Sequence, residues 1–316
     1  MEAVEVDSLL SRKSGTTICS SRMLIGDRDL PEGIENKEII LDPDNGDLQA
    51  FEIETVAVDD PKWEEWHNKH RAIGGSTIAS LLGHGYDSPR AAIMRHLKLK
   101  PEKPFTAFNK IAMGHGRFFE SYALRVCDLM TDGDFSANRP AGNSTLFRVH
   151  SKSHNKDLLM ITTPDYYDGS NVLEIKCPYV NSTKTACAFE FGSLWSQKVP
   201  FCGKTAYFLQ AAFYAWLCDL KPIYIYVAVA FVTNNEDICV RLWKYNHSES
   251  IDMFFTRFAL ELMNTTAGSL RMTKQDRLRA EQLVEDHFIS MRNSPVYSIG
   301  IDGSLEEKRE DDSGDD

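Results

Sequence analysis

The chain has no apolar run approaching the roughly 18 residues that a membrane-spanning helix needs, although 42% of its 316 residues are hydrophobic. Its start, MEAVEVDSLL, lacks both the basic segment and the apolar stretch of a secretory signal. The expectation is an intracellular protein without a membrane partner. Cysteine is sparse and scattered: Cys19, Cys127, Cys177, Cys187, Cys202, Cys218 and Cys239 make an odd total of seven with no CxxC pair. That spacing argues against a disulfide framework and against a zinc or iron–sulfur centre, so free thiols are expected. No internal repeat occurs, and low complexity is confined to the acidic ends.

A basic balance is lacking too, since the net charge is −11. The excess of acid is localised. Residues 27–60 hold twelve acids against Arg28 and Lys37, and residues 305–316 hold seven against Lys308 and Arg309. The segment 61–304 therefore carries +4. Within it Arg90, Arg95, Lys98, Lys100, Lys103 and Lys110 face only Glu102, a local surplus that can meet a phosphate backbone or simply form a solvated helix face and loop.

Composition divides the chain into an acidic, poorly ordered extension over 1–58, in which FEIETVAV can make one strand, a folded domain over 59–295, and an acidic disordered tail over 296–316. Asp60-Pro61 opens a helix, and a second begins at Ser76 behind Gly74-Gly75 with the serine hydroxyl as its cap. Further helices are expected at about 89–98 and 108–131. TLFRVH, DLLMITTPDYY and NVLEIKCPY read as strands, the last two joined at Asp168-Gly169. KTAYFLQAAFYAWLCDL has the spacing of a buried helix, IYIYVAVAFV that of a buried strand, and DICVRLWKY is its expected partner. Helices at about 248–266 and 273–292 close the domain. This order indicates an α/β fold with a mixed central sheet flanked by helices.

The densest chemical signal is Thr163-Pro164-Asp165 followed by Leu173-Glu174-Ile175-Lys176-Cys177-Pro178. On a strand Glu174 and Lys176 share one face, and Leu173, Ile175 and Cys177 the other. Asp165 can reach the first face. Two carboxylates and the Ile175 carbonyl form a hard oxygen set suited to Mg²⁺ or Mn²⁺, and Lys176 would stand beside the attacking water. An ExK triplet alone is usually an exposed ion pair. Flanking apolar strands and the preceding Pro-Asp favour a site.

Five ordered blocks carry a resemblance: Arg71-Ala-Ile-Gly-Gly-Ser76, Met113-Gly-His-Gly-Arg-Phe-Phe-Glu120, Thr163-Pro-Asp165, Leu173-Glu-Ile-Lys-Cys-Pro178, and Tyr207-Phe-Leu-Gln210 continuing Ala-Ala-Phe-Tyr-Ala-Trp216. Over about residues 65–232 the chain resembles the lambda-exonuclease-like, or YqaJ-type viral recombinase, branch of the PD-(D/E)xK nucleases. The resemblance implies a restriction-endonuclease-like core and a metal-dependent exonuclease acting from duplex DNA ends, 5′→3′. It implies Asp165, Glu174 and Glu120 as metal-site acids, Lys176 as the water-positioning cation, and Gln210 near the nucleophile. It places Arg71 and Ser76 on phosphate, with Arg90, Arg95 and more weakly Arg117 as further candidates. A single-strand annealing protein and other copies of the chain are the implied partners. Tyr166-Tyr167-Asp168 departs from the family's short turn and makes Asp168 a rival to Asp165. An endonuclease or DNA/RNA nuclease of the same fold, and a non-catalytic DNA-binding protein, are the competing expectations.

Overall fold

The computed structural model describes residues 38–58, 60–70, 72–85, 87–96, 106–131, 135, 143–178, 202–232, 237–264 and 274–308. Arg71, the Lys98–Lys103 stretch, Cys19 and Cys187 lie outside them. In chain order the strands are β1 (Glu38–Ile40), β2 (Leu48–Ala57), β3 (Asn143–Ser151), β4 (Lys156–Thr162), β5 (Tyr166–Tyr167), β6 (Asn171–Lys176), β7 (Tyr224–Val232), β8 (Ile238–Asn246), β9 (Phe288–Asn293), β10 (Tyr297–Ile299) and β11 (Leu305–Glu307). The helices are α1 (Trp63–His70), α2 (Gly75–Leu81), α3 (Pro89–His96), α4 (Ala107–Thr131), α5 (Cys202–Leu217), α6 (Glu249–Asn264) and α7 (Lys274–His287). The protein is thus mixed α/β, with two sheets and flanking helices.

The larger sheet runs β11-β10-β8-β7-β6-β5, with β9 also on β8. β6 and β7 are parallel and the other pairings antiparallel. A parallel neighbour requires a crossover, and α5 supplies it. β7, YIYVAVAFV, is buried along all but its first residue because helices cover both faces of the sheet; a central strand in that position is apolar throughout rather than alternating. The C-terminal half of α4 packs Ala123, Leu124, Val126 and Cys127 against Leu173, Ile175, Ala228 and Val240 on one face. On the other face α5 is buried nearly all round, joining Val172, Val227 and Val229 to α2, α6 and the inner side of the smaller sheet β1-β2-β3-β4. A helix apolar on every side belongs in such a place.

Several expectations change. The acidic extension contributes, over its described part 38–57, two strands of the smaller sheet: β2 pairs with β3 from Leu48↔Ser151 to Ala57↔Asn143, burying Leu48 and Ala50. The tail likewise forms the β10–β11 hairpin, held by an ion pair between Lys308 and Asp237 and by Arg125 donating to the Gly303 carbonyl at 2.8 Å. The last helix stops at His287. Its last five expected residues, together with Asn293, become β9, where Phe288 packs on Tyr245 across the ladder. The run DLLMITTPDYY is two strands in two sheets. Thr163-Pro164-Asp165 crosses between them, since Pro164 has no N–H to continue a ladder. The second helix begins at Gly75 with Gly74 as its N-cap and no side-chain cap bond, so Ser76 is an exposed first-turn residue and not the capping hydroxyl. Cys127, Cys177, Cys218 and Cys239 are free thiols. Among the described residues no helix is long and apolar enough to cross a membrane.

Candidate active site

The site lies at the end of β6 where the crossing from β4 arrives. Tyr166 pairs with Leu173. One step further along, the Asp165 carboxylate takes the place of a partner-strand carbonyl and accepts the Ile175 N–H at 2.9 Å. Because N–H and C=O of one strand residue point the same way, the Ile175 carbonyl opens toward the same edge. Lys176 Nζ forms an ion pair with Glu174 and lies 3.7 Å from Asp165 Oδ2. The strand alternation expected from LEIKC is present: Glu174 and Lys176 face α5, while Leu173 and Ile175 enter the core beneath α4.

The electrostatics follow from burial. Glu174 has no exposed surface, and its Oε2 finds no hydrogen-bond donor among the described residues. Desolvation, and then the adjacent Asp165, push its carboxyl up to about 8, with Lys176 only partly offsetting them. Burial works against the charge on Lys176, but Glu174 and Asp165 outweigh it and hold the ammonium well above its ordinary value. Two acids thus share one cation, Glu174 fully buried and Asp165 and Lys176 partly exposed. A buried acid with an unmatched oxygen, beside a second carboxylate and an outward carbonyl, fits a divalent cation, which would replace the proton on Glu174. Among the described residues no three His, Cys, Asp or Glu side chains close into one metal-holding group. A cation here would take Asp165, Glu174 and the Ile175 carbonyl, with solvent or phosphate oxygens completing its shell.

Glu120 stands in the other layer. It sits on α4, accepts the Tyr166 hydroxyl at 3.0 Å and acts electrostatically on Cys177, across β6 from Glu174. Gly116, one turn earlier, lies beside the end of β6, where an added Cβ would make an ordinary contact of 3.5 Å with the Cys177 carbonyl. Gln210 is brought to the site side: its amide donates to the Tyr214 hydroxyl at 2.8 Å. Burial, and then the charge of Glu174, raise the Tyr214 phenol far above its ordinary value, so it stays protonated. Ser76 follows Gly75, where a Cβ would lie 2.5 Å from Gln210 Cγ and 3.0 Å from the Tyr214 oxygen. Gly75 therefore permits close approach of α2 to α5, while Gly74 lies against Ile161. Arg90 and Arg95 lie on α3, which packs against α2; Arg90 is exposed and Arg95 is paired with Asp87. Arg117 is exposed on α4.

Asp168 is no rival to Asp165. Its oxygens accept Ser170 N–H, Asn171 N–H and Asn171 Nδ2 at 2.8, 2.6 and 2.9 Å, closing the turn in which Gly169 has φ +92°. Sequence reasoning passed over Tyr214 and Tyr207, whose ring centroid is 5.8 Å from Lys176 Nζ. Both stand on the Gln210 helix, three residues before it and four after. That spacing, which places side chains on one helix face, was the available signal. No family model matches the chain, and no curated protein or solved structure gives a significant match.

Proposed function

We propose that this chain is a Mg²⁺- or Mn²⁺-dependent nuclease with a restriction-endonuclease-like PD-(D/E)xK core, hydrolysing phosphodiester bonds of duplex DNA from an end, 5′→3′, in recombination, repair or viral DNA processing. One observation carries the reading: a fully buried Glu174 with an unmatched oxygen, set against Asp165 and bridged to it by a single lysine. Burying such a group costs stability unless it serves a ligand. The five ordered sequence blocks supply the substrate class.

Asp165, Glu174 and the outward Ile175 carbonyl would hold the cation. When bound, it supplies Lewis-acid polarisation of the phosphoryl group and a water of lowered pKa. Lys176 keeps its charge at neutral pH, orients the attacking water and offsets negative charge that builds on the phosphoryl oxygens. Gln210, whose amide donates to the Tyr214 hydroxyl, would offer its remaining polar atoms to the water or a phosphate oxygen. In this reading Ser76, Arg71 and Arg90 would meet the DNA backbone, and Arg95 would join them by leaving Asp87. A single-strand annealing protein is the partner that end resection requires, and further copies of the chain would keep it on one strand.

Digestion of linear 5′-labelled duplex and of closed circular DNA, with and without Mg²⁺, tests the reading in wild type and Lys176→Ala. Loss of the linear substrate alone, abolished by EDTA and by the substitution, is the expected result. Cleavage of the circle replaces it with an endonuclease, and no metal-dependent cleavage of either substrate leaves a DNA-binding protein.

A further inference from the structure

We propose that a hydroxyl relay, Trp63 to Ser144 to Thr163, is the positioning device that holds the Asp165 carboxylate on the edge of β6; the proposal rests on the reading of Asp165 and Glu174 given above. The crossing Thr163-Pro164-Asp165 is paired in neither sheet: the β3–β4 ladder ends at Thr145↔Thr162, and the β5–β6 ladder begins at Tyr166↔Leu173. Side chains must fix it instead. Trp63 on α1 donates its indole N–H to Ser144 Oγ at 2.8 Å, and Ser144 Oγ lies 2.7 Å from Thr163 Oγ1. Ser144 is fully buried, so its hydroxyl has few other ways to be satisfied.

Holding Thr163 goes far toward holding Asp165. Pro164 has its φ locked near −65°, and the residue before a proline is confined to extended backbone, so few free dihedrals separate the two. At the far end Asp165 Oδ2 accepts the Ile175 N–H at 2.9 Å, and the same oxygen lies 3.7 Å from Lys176 Nζ, so a shift of the carboxylate disturbs both contacts. A relay that only satisfied a half-buried indole and two hydroxyls would influence stability. A relay that positions Asp165 must also influence the Ile175 amide and the affinity for a divalent cation.

The metal-free full chain is compared as wild type, Thr163→Val, which keeps shape and removes the hydroxyl, and Thr163→Ser, which restores it. Amide exchange is followed by NMR at Ile175 and, as internal control, at Val227 on β7; Mn²⁺ binding is followed by titration calorimetry. Thr163→Val is expected to speed Ile175 exchange by about tenfold with Val227 unchanged, and to weaken Mn²⁺ binding by about tenfold. Thr163→Ser keeps both at the wild-type value. Wild-type Ile175 exchange in Thr163→Val overturns the relay. If wild type binds no Mn²⁺, the metal reading falls while the exchange comparison still decides the relay. Should Thr163→Val fail to fold, Trp63→Phe, which keeps a ring on α1 and removes the donor, is read in the same way.

Discussion

The two ends of the β5–β6 hairpin each carry an aspartate, three positions apart, and they do opposite things. Asp168, at the turn, accepts the N–H groups of Ser170 and Asn171 and the Asn171 amide, three bonds that tie its carboxylate to the turn. Asp165, at the open end, gives one oxygen to the Ile175 N–H and faces a buried glutamate that has too few donors. Residue type does not separate them. A carboxylate becomes available for chemistry where a strand ends without a partner, and becomes structural where a tight turn directs several backbone N–H groups at it.

The largest expected effect would break this comparison if it failed. Asp165→Asn should lower the rate of Mg²⁺-dependent DNA cleavage by at least about 10²-fold, whereas Asp168→Asn should leave that rate nearly unchanged and cost about 1 kcal/mol in urea unfolding. Equal losses of activity in the two variants would remove the distinction. Next comes Gly75→Ala, whose new Cβ would press on Gln210 and Tyr214. About 1–3 kcal/mol of strain is expected, with a fall in cleavage rate that exceeds any loss of DNA affinity measured by anisotropy.

The pH dependence sharpens the contrast. Because the folded Glu174 carboxyl is raised from an ordinary 4.5 to about 8, the folded state holds a proton that the unfolded chain releases across that interval. Stability of the metal-free protein therefore has a component that falls as pH rises from about 4.5 to about 8 and then levels off. Glu174→Gln should abolish cleavage and remove that slope, as read by urea unfolding in EDTA at several pH values. A slope unchanged by the substitution would place the titration elsewhere. The smallest effect is expected of Tyr166→Phe, which removes the hydroxyl donated to Glu120 at a cost of about 1 kcal/mol; a collapse of cleavage here would bring Glu120 into the site across β6.

Much of this was legible in advance, and particular residues explain where legibility stopped. The apolar run of β7, the 3.6-residue spacing of α5 and the alternation of Leu173-Glu-Ile-Lys are local patterns whose period states both element and buried face. The acid-rich stretch to residue 57 reads as poorly ordered because its composition is polar. In β2, however, Glu54 and Thr55 are exposed while Leu48 and Ala50 enter the core and the buried Gln49 donates to Glu38. Phe288–Asn293 carries no breaker separating it from α7, so only its pairing with β8 marks the change to a strand. Gly74-Gly75 invited a reading of backbone freedom, and the structure uses the second glycine for close packing against Gln210 and Tyr214.

By itself the sequence determined the α/β class, the principal strands and helices, and the face shared by Glu174 and Lys176, since each depends on side-chain periodicity within a few residues. Only the tertiary structure decided that Asp165 sits at a crossing between two sheets, that Glu120 approaches β6 from the opposite layer, and that Trp63 and Ser144 stand behind Thr163. Those relations join residues up to 81 positions apart, and no local period records which sheet a strand joins or what meets it there.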